Sequence, residues 1–188
     1  RENPEAVQLS RLKIPYLSFP QALKIFAMKG KKSVVVAGTH GKTRTSALIS
    51  WILERSGMDP SFMIGGIPKN HQVNFKLGKG PYFVVEGDEY DTAFFDKGAK
   101  FLHYDPSIAI LTGVEFDHAD IFKDLAQVKE AFGRFLSGLA DSSLLLSFDN
   151  DQNINDLLGY CSCRIERYGR RSGSTWRFDS VSNDPPWT

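Results

Sequence analysis

The stretch that decides the fold is Ser33–Leu48, SVVVAGTHGKTRTSAL. A continuous run of small and β-branched apolar residues predicts a buried strand over 33–37. The residues from Thr43 to Arg55 predict a helix, with Gly57 where a C-terminal cap belongs. Between them, Gly38 and Gly41 let the backbone turn sharply and approach a ligand closely. The amides of residues 39–43 then point at an anion, at a helix start whose dipole favours negative charge. Lys42 reaches the β- and γ-phosphates, and the Thr43 hydroxyl sits on Mg²⁺. Gly38, Thr39, His40, Gly41, Lys42 and Thr43 are therefore candidate nucleotide-binding residues. An ordinary strand–turn–helix connection explains the glycines but not Gly-Lys-Thr at a helix start. The common phosphate-loop spacing, G-x-x-x-x-G-K-[ST], puts Val36 at its first glycine place. The first bend residue here reads as Gly38, which marks a distinct class of phosphate loop.

Outward from this loop, further buried strands are predicted at YFVVE (82–86), IAILT (108–112) and LLLSF (144–148), with another at CRIERYG (163–169). SFMIGGIPKN (61–70) predicts a short strand and a turn. Asp124–Ala140 predicts an amphipathic helix, with Leu125, Val128, Phe132, Phe135, Leu136 and Leu139 on one face. NDQNINDLL predicts a short capped helix. Residues 1–20 read as an extended lead-in and PQALKIFAM as a short helix with Pro20 in its first turn. The stretch 87–106 reads as loop and irregular helix, and the polar tail after Gly169 as the start of a hairpin. Short apolar strands alternating with helices imply an α/β fold, a P-loop, doubly wound, mostly parallel sheet flanked by helices. Sites in such sheets form at the carboxyl ends of strands.

Two other strand ends bear on the loop. Glu86 closes YFVVE, and Asp117 and His118 follow IAILT. If the three strands are neighbours, Glu86 and His118 share an edge with Thr43. A carboxylate there suits Mg²⁺, which prefers oxygen ligands and keeps waters beside phosphates. Alone, Glu86 reads equally as a helix cap or surface acid, and His118 as a structural histidine. EGDEYD (86–91) is either a solvated acidic loop or a cluster offset by metal or a cationic substrate.

Composition removes other classes. The 188 residues carry a net charge of +1, which gives no global field for nucleic acid. No apolar run is long enough to span a membrane. Cys161 and Cys163, two apart on a predicted strand, point to opposite faces and read as reduced cytosolic thiols. The chain opens on Arg1 rather than Met, so a fragment of a longer protein is expected.

VVVAGTHGKT (34–43), VVEGDEYD (84–91) and TGVEFDHAD (112–120) resemble, in order, the three motifs of the Mur ligases, ATP-dependent amide-forming enzymes of peptidoglycan synthesis. GGIPKN and EGDEYDTAFFDK are most similar to the branch that joins a recycled tripeptide, L-Ala-γ-D-Glu-meso-diaminopimelate, to UDP-N-acetylmuramate. The resemblance implies a cytoplasmic ligase of three domains. Residues 1–19 would be the end of the N-terminal UDP-sugar domain and 20–188 the central ATP-binding domain, incomplete at its C-terminal end, with the C-terminal domain absent. It implies ATP and Mg²⁺ as cofactors, with Lys42 on the transferring phosphate. Thr43 and Glu86 would hold a first Mg²⁺ and His118 a second. Asn150 or Asp151 would approach the adenine or ribose, and Asn70 the UDP-sugar. Lys42, Glu86 and His118 are the expected catalytic set. Two departures stand out: Arg44 replaces the family's usual threonine, and Phe132 or Gly133 occupies the place of a carbamylated lysine, with Lys129 a turn too early. Other readings are a UDP-N-acetylmuramate–L-alanine ligase, a folylpolyglutamate synthase, or a nucleotide-binding P-loop module without ligase activity. The fragment alone is expected to be inactive.

Overall fold

A computed structural model describes residues 3–93, 95–117 and 119–180. In chain order the elements are α1 (Pro4–Leu12), α2 (Phe19–Phe26), β1 (Lys32–Ala37), α3 (Lys42–Arg55), β2 (Ser61–Met63), β3 (Phe75–Lys76) and β4 (Tyr82–Gly87). There follow β5 (Asp91–Ala93), β6 (Asp96–Ala99), a 3-10 turn (Lys100–His103), β7 (Ile108–Leu111), α4 (Leu125–Ser137) and β8 (Leu144–Phe148). The chain continues through α5 (Gln152–Leu157), β9 (Arg164–Gly169) and β10 (Trp176–Arg177).

Eight strands form one sheet in the order β10-β9-β8-β7-β1-β4-β2-β3, and β5 and β6 form a separate antiparallel pair. Within the large sheet β2–β3 is the antiparallel pairing; β1 lies parallel between β4 and β7. Helices cover both faces, which is why the central strands are apolar throughout rather than alternating. Val35, Ala37, Phe83, Val85, Leu111 and Leu145 face α4 and its Val128, Phe132, Phe135 and Leu136. Val34, Val36, Val84 and Ile110 face the other way, against Phe62, Ile64 and the Ala47, Ile49 and Leu53 side of α3. Each fully buried side chain of this size stabilises the fold by about 1.5–3 kcal/mol. Val35, Val36 and Val84 are wholly buried, so the strand beneath the phosphate loop is among the most firmly seated.

Helix ends follow side-chain chemistry. Asp124 caps α4 by accepting the Gln127 amide at 2.9 Å, and Asp151 caps α5 by accepting the amides of Asn153 and Ile154. Gly57, at φ 75°, closes α3.

Five expectations are corrected. Residues 4–12 are helical rather than extended: Asn3 accepts the amides of Glu5 and Ala6, and Pro4 opens the first turn, a start that outweighs weak periodicity. The stretch after β4 is a strand pair and a 3-10 turn rather than irregular helix. The tail turns back as β10 parallel to β9, not as a hairpin. Buried Asp149 holds that turn, accepting the Arg171 amide and the Ser174 hydroxyl. Burial pushes its carboxyl up, but these bonds and the Arg170 amide outweigh it and hold the group below its usual range. The two-residue edge strand β3 was not anticipated. Finally, Cys161 and Cys163 precede β9 rather than lying on it, and their Sγ atoms come within 3.0 Å. Burial, then the hydrogen bond with Cys161, pushes the Cys163 thiol up to about 12.

Candidate nucleotide site

Register brings the site together. Ala37 lies opposite Gly87 of β4 and Leu111 of β7, so the loops after all three strands leave from one edge. Gly38 takes φ 138° and Gly41 φ 86°. A Cβ on Gly38 would lie 2.2 Å from the Thr112 hydroxyl oxygen, so this close approach requires glycine. Thr112 donates to the His40 carbonyl at 2.6 Å and reaches the Ala37 carbonyl at 3.2 Å.

Thr39 departs from its expected role. Its amide donates to the Gly113 carbonyl at 2.9 Å. Its hydroxyl donates to the Glu115 carbonyl at 3.1 Å and accepts the Glu115 amide at 3.0 Å. Thr39 therefore fastens the phosphate loop to residues 112–115 instead of turning its amide toward a ligand. The same segment is gripped from the other side, where Asp151 accepts the Val114 amide at 2.8 Å and Asn153 donates to the Val114 carbonyl at 2.7 Å.

Lys42 and Thr43 open α3. The Thr43 hydroxyl donates to Glu86 at 2.9 Å, and the other Glu86 oxygen accepts the Gly65 amide at 2.7 Å. Glu86 is thus neither a helix cap nor a solvated acid. The Lys42 ammonium donates to the Gly38 carbonyl at 2.7 Å and to Glu89 at 2.8 Å. The acidic run is largely neutralised by lysines: Asp88 pairs with Lys100 at 3.1 Å and Asp91 with Lys97 at 2.6 Å. The run is therefore not a uniformly solvated loop: Asp88, Glu89 and Asp91 meet lysines, and Glu86 alone of its carboxylates meets Thr43.

Thr39 to Thr43, Gly65, Glu86 and Asp88 line a cleft of about 780 Å³ that runs from the phosphate loop to Phe19, Met63, Tyr90, Lys100 and Tyr104, with Glu89 buried behind Lys42 rather than on its surface. Burial, then the Asp88 charge, pushes the hydroxyls of Tyr90 and Tyr104 up, so both stay neutral donors. His40 lies exposed, 3.6 Å from Glu115 and 4.0 Å from Asp117. Arg44 also lines the cleft.

Other expected residues stand elsewhere. Asn70 is exposed in the turn before β3, and Asn150 is exposed in the turn after β8; neither lines the cleft. Asp151 is committed to α5 and Val114. His118 lies outside the described residues. Lys129 pairs with Asp156 at 2.6 Å. Glu89 and Thr112 are the contributors that residue patterns did not single out; EGDEYD contained Glu89 without indicating that Lys42 was its partner.

A hydroxyl and a carboxylate side by side are hard oxygen donors and fit Mg²⁺. No group of three or more His, Cys, Asp or Glu side chains placed to hold a metal ion occurs among the described residues. Thr43 and Glu86 thus suit an ion that completes its shell with waters and phosphate oxygens.

Residues 36–185 match the family model of the Mur ligase middle domain. The chain belongs to the Mur ligase family. Among Mur ligases it is 43% identical, over 185 residues, to the UDP-N-acetylmuramate–L-alanyl-γ-D-glutamyl-meso-2,6-diaminoheptandioate ligase of Escherichia coli (strain K12), covering 98% of this chain and 40% of that one. It is 38% identical over 168 residues to a UDP-N-acetylmuramate–L-alanine ligase from Desulforamulus reducens, covering 89% of this chain and 35% of that one. The solved UDP-N-acetylmuramate:L-alanyl-γ-D-glutamyl-meso-diaminopimelate ligase from Neisseria meningitides superposes with a TM-score of 0.83 at 38% identity, covering 89% of this chain and 55% of that one. The chain spans about 40% of the length of the first of these curated relatives. The doubly wound, mostly parallel sheet anticipated from strand and helix alternation is that of the Mur ligase middle domain.

Proposed function

We propose that this chain is the ATP- and Mg²⁺-binding part of a ligase that joins L-Ala-γ-D-Glu-meso-diaminopimelate to UDP-N-acetylmuramate in peptidoglycan recycling. The observation that carries the reading is the Thr43–Glu86 contact of 2.9 Å beside Lys42, in a chain 43% identical to a ligase named for that tripeptide. In this reading residues 1–19 close an N-terminal UDP-sugar domain and 20–188 form the ATP-binding domain. A further C-terminal domain brings the amine, and the fragment alone does not ligate. The enzyme works in the cytoplasm; no helix among the described residues is long and apolar enough to cross a membrane.

Phosphoryl transfer to the muramoyl carboxylate asks for positioned phosphates and neutralised charge more than for covalent help. Gly38, His40 and Gly41 shape the turn around the phosphates. Thr39 acts one step back, holding that turn against residues 112–115. Lys42 supplies a cation to the transferred phosphate. Thr43 and Glu86 hold Mg²⁺, which when bound withdraws charge from the phosphate oxygens. His118 would hold a second Mg²⁺, Asn150 would approach the nucleoside, and Asn70 the UDP-sugar. Both asparagines need a closed, multidomain arrangement to reach a ligand.

The test supplies the full-length protein, all three domains, with Mg·ATP and UDP-N-acetylmuramate, and offers the tripeptide or L-alanine separately, reading ADP release and product mass. Ligation of the tripeptide alone supports the reading. Ligation of alanine alone moves the chain to the alanine-ligase branch, the group that includes its 38%-identical relative. No amine-dependent ADP release with either amine overturns the ligase reading and leaves a P-loop module.

A further inference from the structure

The Lys42 ammonium has three donor directions. One meets the Gly38 carbonyl at 2.7 Å, one meets Glu89 at 2.8 Å, and the third leans on the Thr39 carbonyl at 3.5 Å. The pair is deep: the Lys42 side chain is 11% exposed and that of Glu89 1%. Glu89 is also held firmly from behind. The segment 88–90 is bonded to the 3-10 turn that follows β6, through the Phe101 amide on the Asp88 carbonyl (3.2 Å) and the Lys100 amide on the Tyr90 carbonyl (3.3 Å). Lys42 and Glu89 are thus a built contact between the phosphate loop and the wall of the cleft that carries Tyr90, Lys100 and Tyr104.

We infer that Glu89 is the counter-ion that holds Lys42 whenever no phosphate is bound and that an entering phosphate displaces it. The inference rests on the reading of this cleft as a nucleotide site. A lone buried ammonium is costly, so Lys42 needs an anion beside it whenever no phosphate is there. An entering phosphate competes for the same donor. Two anions on one ammonium within about 4–6 Å repel each other. Lys42 keeps the Gly38 carbonyl and exchanges Glu89 for phosphate, while the backbone of 88–90 stays held by Lys100 and Phe101. Glu89 is a positioning residue: it sets how tightly the phosphates bind.

The test is ADP binding by the full chain in the presence of Mg²⁺, measured calorimetrically for wild type, Glu89→Gln and Glu89→Asp. Gln keeps the acceptor and removes the charge, so it should bind ADP roughly fivefold more tightly, the scale of one partly screened charge pair. Asp keeps the charge and should stay within about twofold of wild type. Damage to the fold would weaken binding, so a gain in affinity is not a structural side effect. Equal or weaker ADP binding by Glu89→Gln overturns the inference while leaving the nucleotide site standing. No ADP binding by wild type overturns both. The second measurement needs no variant: a crystal structure with Mg·ADP should show Lys42 and Glu89 farther apart than about 4 Å. An ion pair that persists beside the bound phosphates refutes the exchange.

Discussion

Gly38→Ala is the sharpest perturbation that the phosphate loop allows, because its cost can be worked from the geometry. At φ 138° an L-residue is strained by about 1–3 kcal/mol. The new Cβ would also lie 2.2 Å from the Thr112 hydroxyl oxygen and 3.0 Å from the Gly113 amide nitrogen and carbonyl oxygen. The hydroxyl has to swing away, giving up its one donated bond, to the His40 carbonyl with the Ala37 carbonyl nearby, at about 1 kcal/mol. The sum is roughly 2–4 kcal/mol, a large part of the stability of a domain this size. Urea unfolding of wild type, Gly38→Ala, Thr112→Ala and the double variant measures it. Thr112→Ala alone should cost about 1–2 kcal/mol. The double variant should fall short of the sum of the singles by a similar amount, because the same hydroxyl bond is lost only once. A Gly38→Ala cost below about 1 kcal/mol, or strictly additive singles, would refute the claim that the glycine exists to admit Thr112.

Three further outcomes follow from the same site. Lys42→Ala should abolish amine-dependent ADP release, and because it leaves Glu89 buried without its cation it should also lower the unfolding midpoint; activity within tenfold of wild type would count against the phosphate role. Glu86→Gln keeps one acceptor oxygen for the Gly65 amide, presents an NH2 from which the Thr43 hydroxyl can accept, and removes the charge. It should raise the Mg²⁺ concentration needed for half-maximal ADP release by tenfold or more, with little change in the unfolding midpoint; an unchanged Mg²⁺ requirement would remove Glu86 from the metal. Burial lowers the value of His71, which stacks on Phe62 at 4.4 Å and bonds Ser50 at 3.1 Å. A histidine depressed in the fold contributes stability that is full above its unfolded value, about 6.5, and is lost as pH falls through the folded one. The unfolding midpoint should therefore drop between pH 7 and 5, and His71→Phe, which keeps the stacking, should flatten that drop.

What could be read in the sequence and what could not divide along a physical line. The central strands, α3, α4 and the phosphate turn were legible because each is local: apolar runs, an amphipathic face and Gly-x-x-Gly-Lys-Thr all report on neighbours within a few residues. The neighbouring of β1, β4 and β7 was a fair expectation from the rules of parallel sheets, and it carried Glu86 to Thr43. Helix α1 was missed because its start depends on Asn3 and Pro4, while its faces are weakly patterned and mostly exposed. The cysteine geometry was missed because β9 begins at Arg164, one residue after the pair, and the alternation rule applies only on a strand.

The contacts that define the working state of the cleft are of another kind. Lys42 and Glu89 are 47 residues apart and Thr39 and Glu115 are 76 apart. Periodicity reports which face of an element is apolar; it carries nothing about which polar tips meet once strands 45 or more residues apart lie side by side. An acidic run such as EGDEYD then looks uniform, although its members do different things: Glu86 takes Thr43, Glu89 takes Lys42, and Asp88 and Asp91 take lysines from the β5–β6 segment. Register separates them. Because Gly87 lies opposite Ala37, Glu86 lies opposite Val36, one residue short of the strand's end, and meets the start of α3. Glu89, two residues past Gly87, has left the sheet and turns back over the loop that Lys42 closes. A difference of three residues along one strand end thus separates the carboxylate suited to a metal from the carboxylate that competes with phosphate. The Glu86→Gln and Glu89→Gln variants should therefore move nucleotide binding in opposite directions.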